Sequence, residues 1–234
     1  MKILGHRGAA GLSPENTLLS FTKGLEFGVD GFEFDVQLSR DGEVVICHDE
    51  RVDRTSDGIG WIKDFTLKEL KQLNFGVTFD KYAPIPTLAE LLEMIMGKSL
   101  LLNVEIKTGL IAYPGIVDKV IELLDKFQVT DRSIISSFEH KTIVDVIRNY
   151  PKVSTGLLYE CGMIEPWIYA QNLGANHLHP QFAFVGPDLV RESHLRGIGI
   201  NTWTVDEPWE MERILNSGVD SVITNYPERF SKKY

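Results

Sequence analysis

Short apolar runs alternate with amphipathic segments along the chain, and this alternation limits the possible folds more than any other feature. The apolar runs predict eight strands, at 2–6, 31–36, 100–107, 133–136, 154–159, 176–179, 199–204 and 220–224. The amphipathic segments predict eight helices, at roughly 14–27, 87–96, 115–127, 139–149, 165–173, 187–195, 207–217 and 227–233. Strands and helices that alternate eight times predict an α/β fold of the TIM-barrel type, (β/α)₈.

A doubly wound open sheet is the alternative architecture for such an alternation. That fold normally has a glycine-rich turn after its first strand, and Gly-His-Arg-Gly at 5–8 matches the turn poorly. We therefore favour the barrel. Its first helix has a start signal at Ser13-Pro14, and residues 15–17 are expected to satisfy backbone donors at this helix start.

Residues 36–48 interrupt the alternation, because two extended runs are joined there by an Asp-Gly hairpin signal at 41–42. A two-residue turn would set Asp35 opposite His48, and a bulge could move this pairing by one residue. In either case the second run returns His48 to the top of the barrel. Residues from about 49 to 85 then form a small insertion after the second strand.

Composition and charge exclude several classes of protein. Hydrophobic residues make up 43% of the chain, which is typical of a globular protein. The 33 acidic residues exceed the 24 lysines and arginines, and a net charge of −9 argues against a nucleic-acid partner. No run approaches the ~20 apolar residues of a membrane span, so we expect no stable membrane anchor.

The start of the chain and its cysteines indicate a cytoplasmic protein. The first apolar run meets His6 and Arg7 before it reaches the length of a signal peptide's apolar region. Cys47 and Cys161 define neither a disulfide framework nor a zinc site, and we expect both to be buried in a reducing compartment. Without a linker or a repeat, we expect one domain over 1–234, whose oligomeric state the sequence leaves open.

Charged side chains lie within the apolar strands, near the ends where TIM-barrel enzymes have their active sites. Glu33 and Asp35 share one face of their strand, which must point into the barrel because their apolar neighbours take the other face. Glu105 repeats this pattern. Three carboxylates at one mouth predict a divalent cation, Mg²⁺ or Ca²⁺, held by oxygen ligands. The alternative is a set of internal salt bridges with Arg7 and Lys107.

Two histidines and two cations are expected near the same mouth. His6 ends the first strand and His48 follows the hairpin, and we interpret them as the catalytic acid and base because histidine titrates near neutrality. Arg7 and Lys107 suit an anionic substrate such as a phosphate ester. For Lys107 the alternative is a Schiff-base lysine.

Other aromatic and histidine residues are weaker candidates. Trp203 ends the seventh strand and is expected to wall the substrate site, with core packing as the alternative. His177 and His179 share a strand face, and His179 is a further candidate for the pocket. His140 and His194 fall on predicted helices and are expected at the surface.

Eight short motifs together resemble those of the glycerophosphodiester phosphodiesterases. They are His-Arg-Gly (6–8), Pro-Glu-Asn-Thr (14–17), Glu-Phe-Asp-Val (33–36), the Asp-Gly turn leading to His-Asp (48–49), Asp-Arg-Thr (53–55), Pro-Thr-Leu (86–88), Glu-Ile-Lys (105–107) and Ile-Thr-Asn-Tyr-Pro (223–227). The motifs occur in order from residue 5 to about 228 with suitable spacings, so no single motif carries the resemblance.

The resemblance implies a TIM barrel of the phospholipase-C-like phosphodiesterase type. In that family, the residues that match the three carboxylates hold the metal ion. Those that match His6 and His48 are the acid–base pair, and those that match Arg7 and Lys107 contact the phosphate. Asn225 stands where some members have an acidic residue, and it is assigned no role.

The activity implied by the resemblance is metal-dependent hydrolysis of a small glycerophosphodiester to sn-glycerol 3-phosphate and an alcohol. The neighbouring glycerol hydroxyl would attack and form a cyclic phosphate, which water then opens. A lysophospholipid substrate, with phospholipase D-type cleavage at the same site, is the nearest alternative. A lysine-dependent aldolase that uses Lys107 and a non-catalytic binder of phosphate esters are the others.

Overall fold

Eight parallel strands close into a barrel in the computed structural model, which describes residues 1–230. The strands are β1 (Lys2–His6), β2 (Gly31–Leu38), β3 (Val44–Ile46), β4 (Leu101–Ile106), β5 (Ser133–Ser137), β6 (Ser154–Tyr159), β7 (His177–Pro180), β8 (Gly199–Thr202) and β9 (Ser221–Thr224). Neighbouring strands follow the order β1-β9-β8-β7-β6-β5-β4-β2, and β1 pairs with β2 to close the barrel. β3 lies outside this ring, antiparallel to β2. The predicted TIM barrel is confirmed.

Helices connect successive barrel strands. They are α1 (Leu18–Glu26), α2 (Leu67–Leu70), α3 (Leu88–Met94), α4 (Ile116–Lys126), α5 (His140–Asn149), α6 (Pro166–Leu173), α7 (Pro187–His194) and α8 (Pro208–Leu215). The predicted helix at 227–233 is a short 3₁₀ turn over Pro227–Phe230, and the rest of it lies outside the described residues. Among residues 1–230, none of the helices has the length and apolar character needed to cross a membrane.

The first helix begins later than its predicted start. Its cap is Thr17, whose side-chain oxygen accepts a hydrogen bond from the Ser20 N–H at 3.3 Å. The expected start at Ser13 was wrong because the preceding residues fold back on the barrel, with the Asn16 N–H donating to the Arg7 carbonyl at 2.9 Å. Asn16 takes a left-handed φ of 56°, which asparagine tolerates better than most residues.

Aromatic packing orients the carboxylates of β2. Phe32 and Phe34 are fully buried on the outer face of the strand, where both rings meet Phe21 of α1 edge-on, at centroid distances of 5.2 and 5.9 Å. Side chains alternate along a strand, so this packing directs Glu33 and Asp35 into the barrel. That is the orientation expected from the sequence.

The predicted hairpin between β2 and β3 is present, but its register differs by one residue. The Ser39 N–H donates to the Glu43 carbonyl at 3.0 Å, so three residues form the loop instead of two. Gly42 in this loop has a φ of 80°, the left-handed conformation that such a loop requires. Asp35 therefore lies beside Cys47, whose N–H donates to its carbonyl at 3.0 Å. The expected pairing partner was one residue too far along the chain.

The insertion at 49–85 has its own apolar cluster against β3. This cluster consists of Val45, Cys47, Val52, Ile62, Leu70, Phe75 and Ile85. Gln37 of β2 fixes the start of the insertion, because its amide nitrogen lies 2.9, 3.2 and 2.7 Å from the carbonyl oxygens of residues 47–49. Its carbonyl oxygen accepts a hydrogen bond from the Tyr113 hydroxyl at 2.9 Å. These bonds hold the backbone of His48 at the barrel mouth.

The two cysteines differ in environment. Cys47 is buried, as expected. Cys161 is exposed in the loop that follows β6, so the expectation that it is buried was wrong. Position 161 lies two residues beyond the end of β6, in the loop before α6.

Candidate active site

Three carboxylates lie together inside the mouth of the barrel. Glu33 and Asp35 come from β2 and Glu105 comes from β4, and the strand register places Asp35 beside Glu105. One oxygen atom of each lies within 4.8 Å of the other two. The exposed fractions of the three residues are 4%, 1% and 7%, so water screens their mutual repulsion poorly.

Two positively charged side chains, Arg7 and Lys107, lie beside the carboxylates. Arg7 Nε lies 3.5 Å from Asp35 Oδ2. Lys107 Nζ lies 3.0 Å from Glu105 Oε1 and 3.8 Å from Asp35 Oδ1. Burial raises the pKa of Asp35, but Arg7, His48 and Lys107 together outweigh burial and lower this pKa to about 2. Asp35 is therefore ionised at neutral pH.

The two cations do not compensate all three carboxylates. Burial, followed by the charges of Asp35 and Glu105, raises the pKa of Glu33 well above its usual value. Burial and Asp35 also raise the pKa of Glu105 to about 7, although Lys107 opposes them. Internal salt bridges alone therefore leave an excess of negative charge that a divalent cation would neutralise.

The oxygen atoms of this cluster fit a hard divalent cation. All three side chains are carboxylates, which Mg²⁺ and Ca²⁺ prefer as ligands. Asp35 Oδ1 is buried and has no hydrogen-bond partner, so this oxygen is available for coordination. Within residues 1–230, Glu33, Asp35 and Glu105 are the group of acidic, histidine or cysteine side chains that comes close enough to hold such an ion.

An asparagine orients His6. The His6 Nδ1 lies 2.7 Å from Asn225 Oδ1, and Asn225 Nδ2 donates to Asp206 at 2.7 Å, which fixes the direction of the amide. The proton of His6 is therefore on Nδ1, and Nε2 lies 3.6 Å from Glu33 Oε2. Burial and the adjacent Arg7 lower the pKa of His6 to about 3, so the metal-free ring is neutral. Asn225 had no predicted role, because some members of the similar family have an acidic residue at this position, and the structure places it beside His6.

A carboxylate orients His48 from the other side of the mouth. The His48 Nδ1 lies 2.6 Å from Asp49 Oδ1. Such a partner keeps the proton on Nδ1, so Nε2 is the atom that can exchange a proton with a ligand. The side chain of His48 is 32% exposed, which leaves it accessible.

A cavity of about 90 Å³ opens between these groups. Its lining consists of His6, Arg7, Glu33, His48, Glu105, Phe138, Leu158, Trp203, Thr204 and Ile223. Asp35 and Lys107 are outside this lining but contact Arg7 and Glu105, which belong to it. Trp203 packs edge-on against Phe138 at 5.5 Å and donates from Nε1 to a backbone carbonyl of β7 at 2.8 Å. The cavity thus offers charged groups and apolar surface to the same ligand.

Two residues of the loop after β1 support the site, although the sequence suggested only a helix-start role for them. Asn16 Nδ2 donates to Asp35 Oδ2 at 2.9 Å. Glu15 Oε1 accepts a hydrogen bond from Arg7 Nη1 at 2.8 Å. The only signal in the sequence was the motif at 14–17, whose resemblance to the family carried no assigned role.

The remaining histidines do not line this cavity. His179, a candidate for the pocket, is fully buried with Nε2 2.9 Å from Asn201 Nδ2 and is not part of the cavity lining. Its ring fills space inside the barrel beside Gly156, where even a Cβ atom would clash with it. His194 is at the surface, as expected, and His140 is half-buried against the carbonyl of Leu158 at 2.8 Å.

Known proteins are similar to this chain in sequence and in fold. Residues 6–229 match the Glycerophosphoryl diester phosphodiesterase family. The chain is 45% identical to the glycerophosphodiester phosphodiesterase of Caldanaerobacter subterraneus subsp. tengcongensis, over 97% of this chain and 94% of that one. The Thermotoga maritima glycerophosphodiester phosphodiesterase has a TM-score of 0.81 and 31% identity, over 100% and 98% of the two chains. An Oleispira antarctica phosphodiesterase, solved in complex with the product sn-glycerol-3-phosphate, has a TM-score of 0.88 and 29% identity, over 98% and 94%. The chain belongs to the glycerophosphoryl diester phosphodiesterase family.

Proposed function

We propose that this protein hydrolyses glycerophosphodiesters to sn-glycerol 3-phosphate and an alcohol, with the barrel and its insertion acting as one domain over 1–234. The observation that carries the proposal is the convergence of three carboxylates, two histidines and two cations at one barrel mouth. The names of the similar proteins, and the product bound to the Oleispira antarctica enzyme, support this choice of substrate.

Glu33, Asp35 and Glu105 are the residues that would hold one divalent cation, Mg²⁺ or Ca²⁺. When bound, such an ion acts as a Lewis acid on the phosphoryl oxygen and lowers the pKa of a coordinated hydroxyl. Both ions take carboxylate oxygen ligands, so both belong in the experiments.

His6 and His48 would transfer the protons of the reaction. Each ring has its Nδ1 held by a partner, which leaves Nε2 to act towards the cavity. One ring would accept the proton of the attacking glycerol hydroxyl, and the other would donate a proton to the departing alcohol. Attack by this hydroxyl gives a cyclic phosphate, and water then opens the ring with the two proton transfers reversed.

Arg7 and Lys107 would bind the phosphate, with Trp203 as an apolar wall for the rest of the substrate. Burial lowers the pKa of Lys107, but Glu105 and Asp35 outweigh burial and raise it above its usual value. An ammonium group attracts a phosphate but has no lone pair for a carbonyl carbon, so this environment disfavours the Schiff base of an aldolase.

The cavity has room for the phosphate region of a substrate but not for the acyl chain of a lysophospholipid. About 90 Å³ is well below the roughly 300 Å³ at which pockets begin to enclose drug-sized ligands. An acyl chain would therefore lie outside the cavity and gain little from it.

The products that the protein forms from glycerophosphocholine test the proposal. We expect phosphorus NMR of the reaction mixture to show sn-glycerol 3-phosphate, because cleavage occurs on the choline side of the phosphate. Lysophosphatidylcholine, assayed as a comparison substrate, should react more slowly. Phosphocholine as the phosphorus product, or a faster reaction with lysophosphatidylcholine, would contradict the proposed reaction or the proposed substrate class, respectively.

A further inference from the structure

A chain of ion pairs connects the two sides of the barrel mouth through Arg54, a residue of the insertion. Arg54 Nε lies 2.6 Å from Asp49 Oδ2, and Arg54 Nη2 lies 3.0 Å from Asp49 Oδ1. On its other side, Arg54 contacts both carboxylate oxygens of Glu15. Nη1 lies 2.8 Å from Oε2, and Nη2 lies 2.8 Å from Oε1. The guanidinium group of Arg54 therefore binds two carboxylates, each through two hydrogen bonds.

Each of these carboxylates has a second partner that lines the cavity. Asp49 accepts the Nδ1 proton of His48 at 2.6 Å. Glu15 accepts a hydrogen bond from Arg7 Nη1 at 2.8 Å. Arg54 is thus the link between an imidazole on the hairpin side and a guanidinium on the β1 side.

Because Asp49 lies at the start of the insertion, its ion pair with Arg54 affects how firmly His48 is held. Asp49 follows β3 at the start of the insertion, and Glu15 belongs to the loop between β1 and α1. The pairing of Arg54 with Glu15 fastens the insertion to the barrel at this point. Without it, Gln37 would still hold the backbone of residues 47–49, but the Asp49 carboxylate would be free to turn away from His48, and the imidazole would lose its fixed Nδ1 partner.

A second arginine of the insertion, Arg51, forms a similar ion pair that does not reach the cavity, and it therefore serves as a comparison for Arg54. Arg51 also forms two hydrogen bonds with a carboxylate, through Nε and Nη2 to Asp53 Oδ2, at 2.9 and 2.8 Å. The side chains of Arg51 and Arg54 are similarly exposed, at 41% and 48%. The hydrogen-bond and ion-pair partners of Asp53 are Arg51 and the Gly60 N–H, so Asp53, unlike Asp49, does not reach a histidine of the cavity. Arg51 is therefore a matched control.

We propose that Arg54 is a positioning residue for the reaction, which holds Asp49, and through it the ring of His48, in a fixed arrangement with Glu15 and Arg7. The inference rests on the proposed function, since it takes His48 to exchange a proton with the substrate. It adds to that function a role for the Asp-Arg-Thr motif at 53–55, which does not touch the cavity.

Steady-state kinetics with glycerophosphocholine test the proposal in the full chain with metal present. We expect Arg54→Met to lower kcat about tenfold. KM should change less than about threefold, because Glu15 keeps its bond to Arg7. Arg54→Met should have little further effect in an Asp49→Asn background, because both changes interrupt the same path to His48. Arg51→Met should stay within about twofold of the wild type.

Two kinetic results would overturn the inference. One is a kcat for Arg54→Met as close to the wild type as that of Arg51→Met. The other is a loss in the Asp49→Asn, Arg54→Met double variant equal to the product of the two single losses, since independent sites are additive in free energy.

Nitrogen-15 NMR of the histidine side chains provides a readout besides activity. We expect His48 in the wild type and in Arg51→Met to carry its proton on Nδ1, and Arg54→Met to populate the other tautomer; His48→Ala identifies the signal. An inactive wild type with this NMR behaviour would refute the proposed function, while the hold of Arg54 on Asp49 and His48 would still be supported. An active wild type in which Arg54→Met changes neither kcat nor the tautomer would refute the role of Arg54 alone.

Discussion

Replacing either His6 or His48 with alanine is expected to lower kcat for glycerophosphodiester hydrolysis by about 10²- to 10⁴-fold, the usual contribution of a general acid or base. The reason is geometric, since each ring directs Nε2 to the same cavity and holds Nδ1 on a fixed partner, Asn225 for His6 and Asp49 for His48. KM should change much less than kcat, because Arg7 and Lys107, the proposed phosphate-binding residues, are unchanged.

A surface histidine provides the control for these two variants. His194 is 40% exposed and pairs with Asp220 at 2.9 Å, outside the cavity lining. His194→Ala should retain kcat, and circular dichroism should show that all three variants are folded. Near-native turnover in both His6→Ala and His48→Ala would refute the assignment of the acid–base pair.

Glu33→Gln is expected to abolish turnover and, at the same time, to stabilise the metal-free protein above pH 7. Glu33 is a proposed metal ligand, so its loss removes the cation and its chemistry. Without metal, however, the Glu33 carboxylate is buried beside Asp35 and Glu105, which together with burial raise its pKa. A neutral glutamine removes this repulsion at nearly the same volume.

The pH dependence of stability follows from the direction of these pKa shifts. Between the usual glutamate pKa of 4.5 and the raised pKa of about 7, Glu105 binds more protons in the folded metal-free protein than in the unfolded chain. The contribution of Glu105 to the free energy of unfolding therefore falls as pH rises through this window, and the penalty is fully present above it. Glu33, whose pKa is raised in the same direction, adds to this loss. The lowered pKa of His6 acts in the opposite direction, but it is common to the wild type and Glu33→Gln and does not affect their comparison.

Thermal unfolding of metal-free wild type and Glu33→Gln from pH 4 to 8 measures this effect. The Tm of Glu33→Gln should exceed that of the wild type increasingly as pH rises, and added Mg²⁺ or Ca²⁺ should raise only the wild-type Tm. Glu122→Gln, at an exposed position of α4, is the control and should follow the wild type. A Tm difference between Glu33→Gln and wild type that does not vary with pH would contradict the electrostatic account.

The parts of the molecule that the sequence predicts are those with a local pattern. The barrel follows from alternating strand and helix segments, and the inward carboxylates follow from Phe32 and Phe34 standing between them on β2. Both patterns are set by residues at most four positions apart, two in a strand and three or four in a helix. Their outcome therefore does not depend on how distant parts of the chain meet.

The details that the sequence does not predict depend on loop conformation. The register of β3 depends on whether the hairpin loop has two residues or three, and the Asp-Gly pair is compatible with both loop lengths. Asn225 reaches His6, and Arg54 reaches Glu15, across separations of 219 and 39 residues. Polar residues of this kind look like ordinary loop and helix-start residues until the fold brings them together.

We propose that a divalent cation held by Glu33, Asp35 and Glu105 is required for hydrolysis. This requirement is tested most directly by the release of sn-glycerol 3-phosphate from glycerophosphocholine by chelator-stripped, folded protein, before and after addition of Mg²⁺ or Ca²⁺. We predict no release from the stripped protein and recovery with at least one of the two ions. Equal release with and without added metal, or no release with either ion, would contradict the claim.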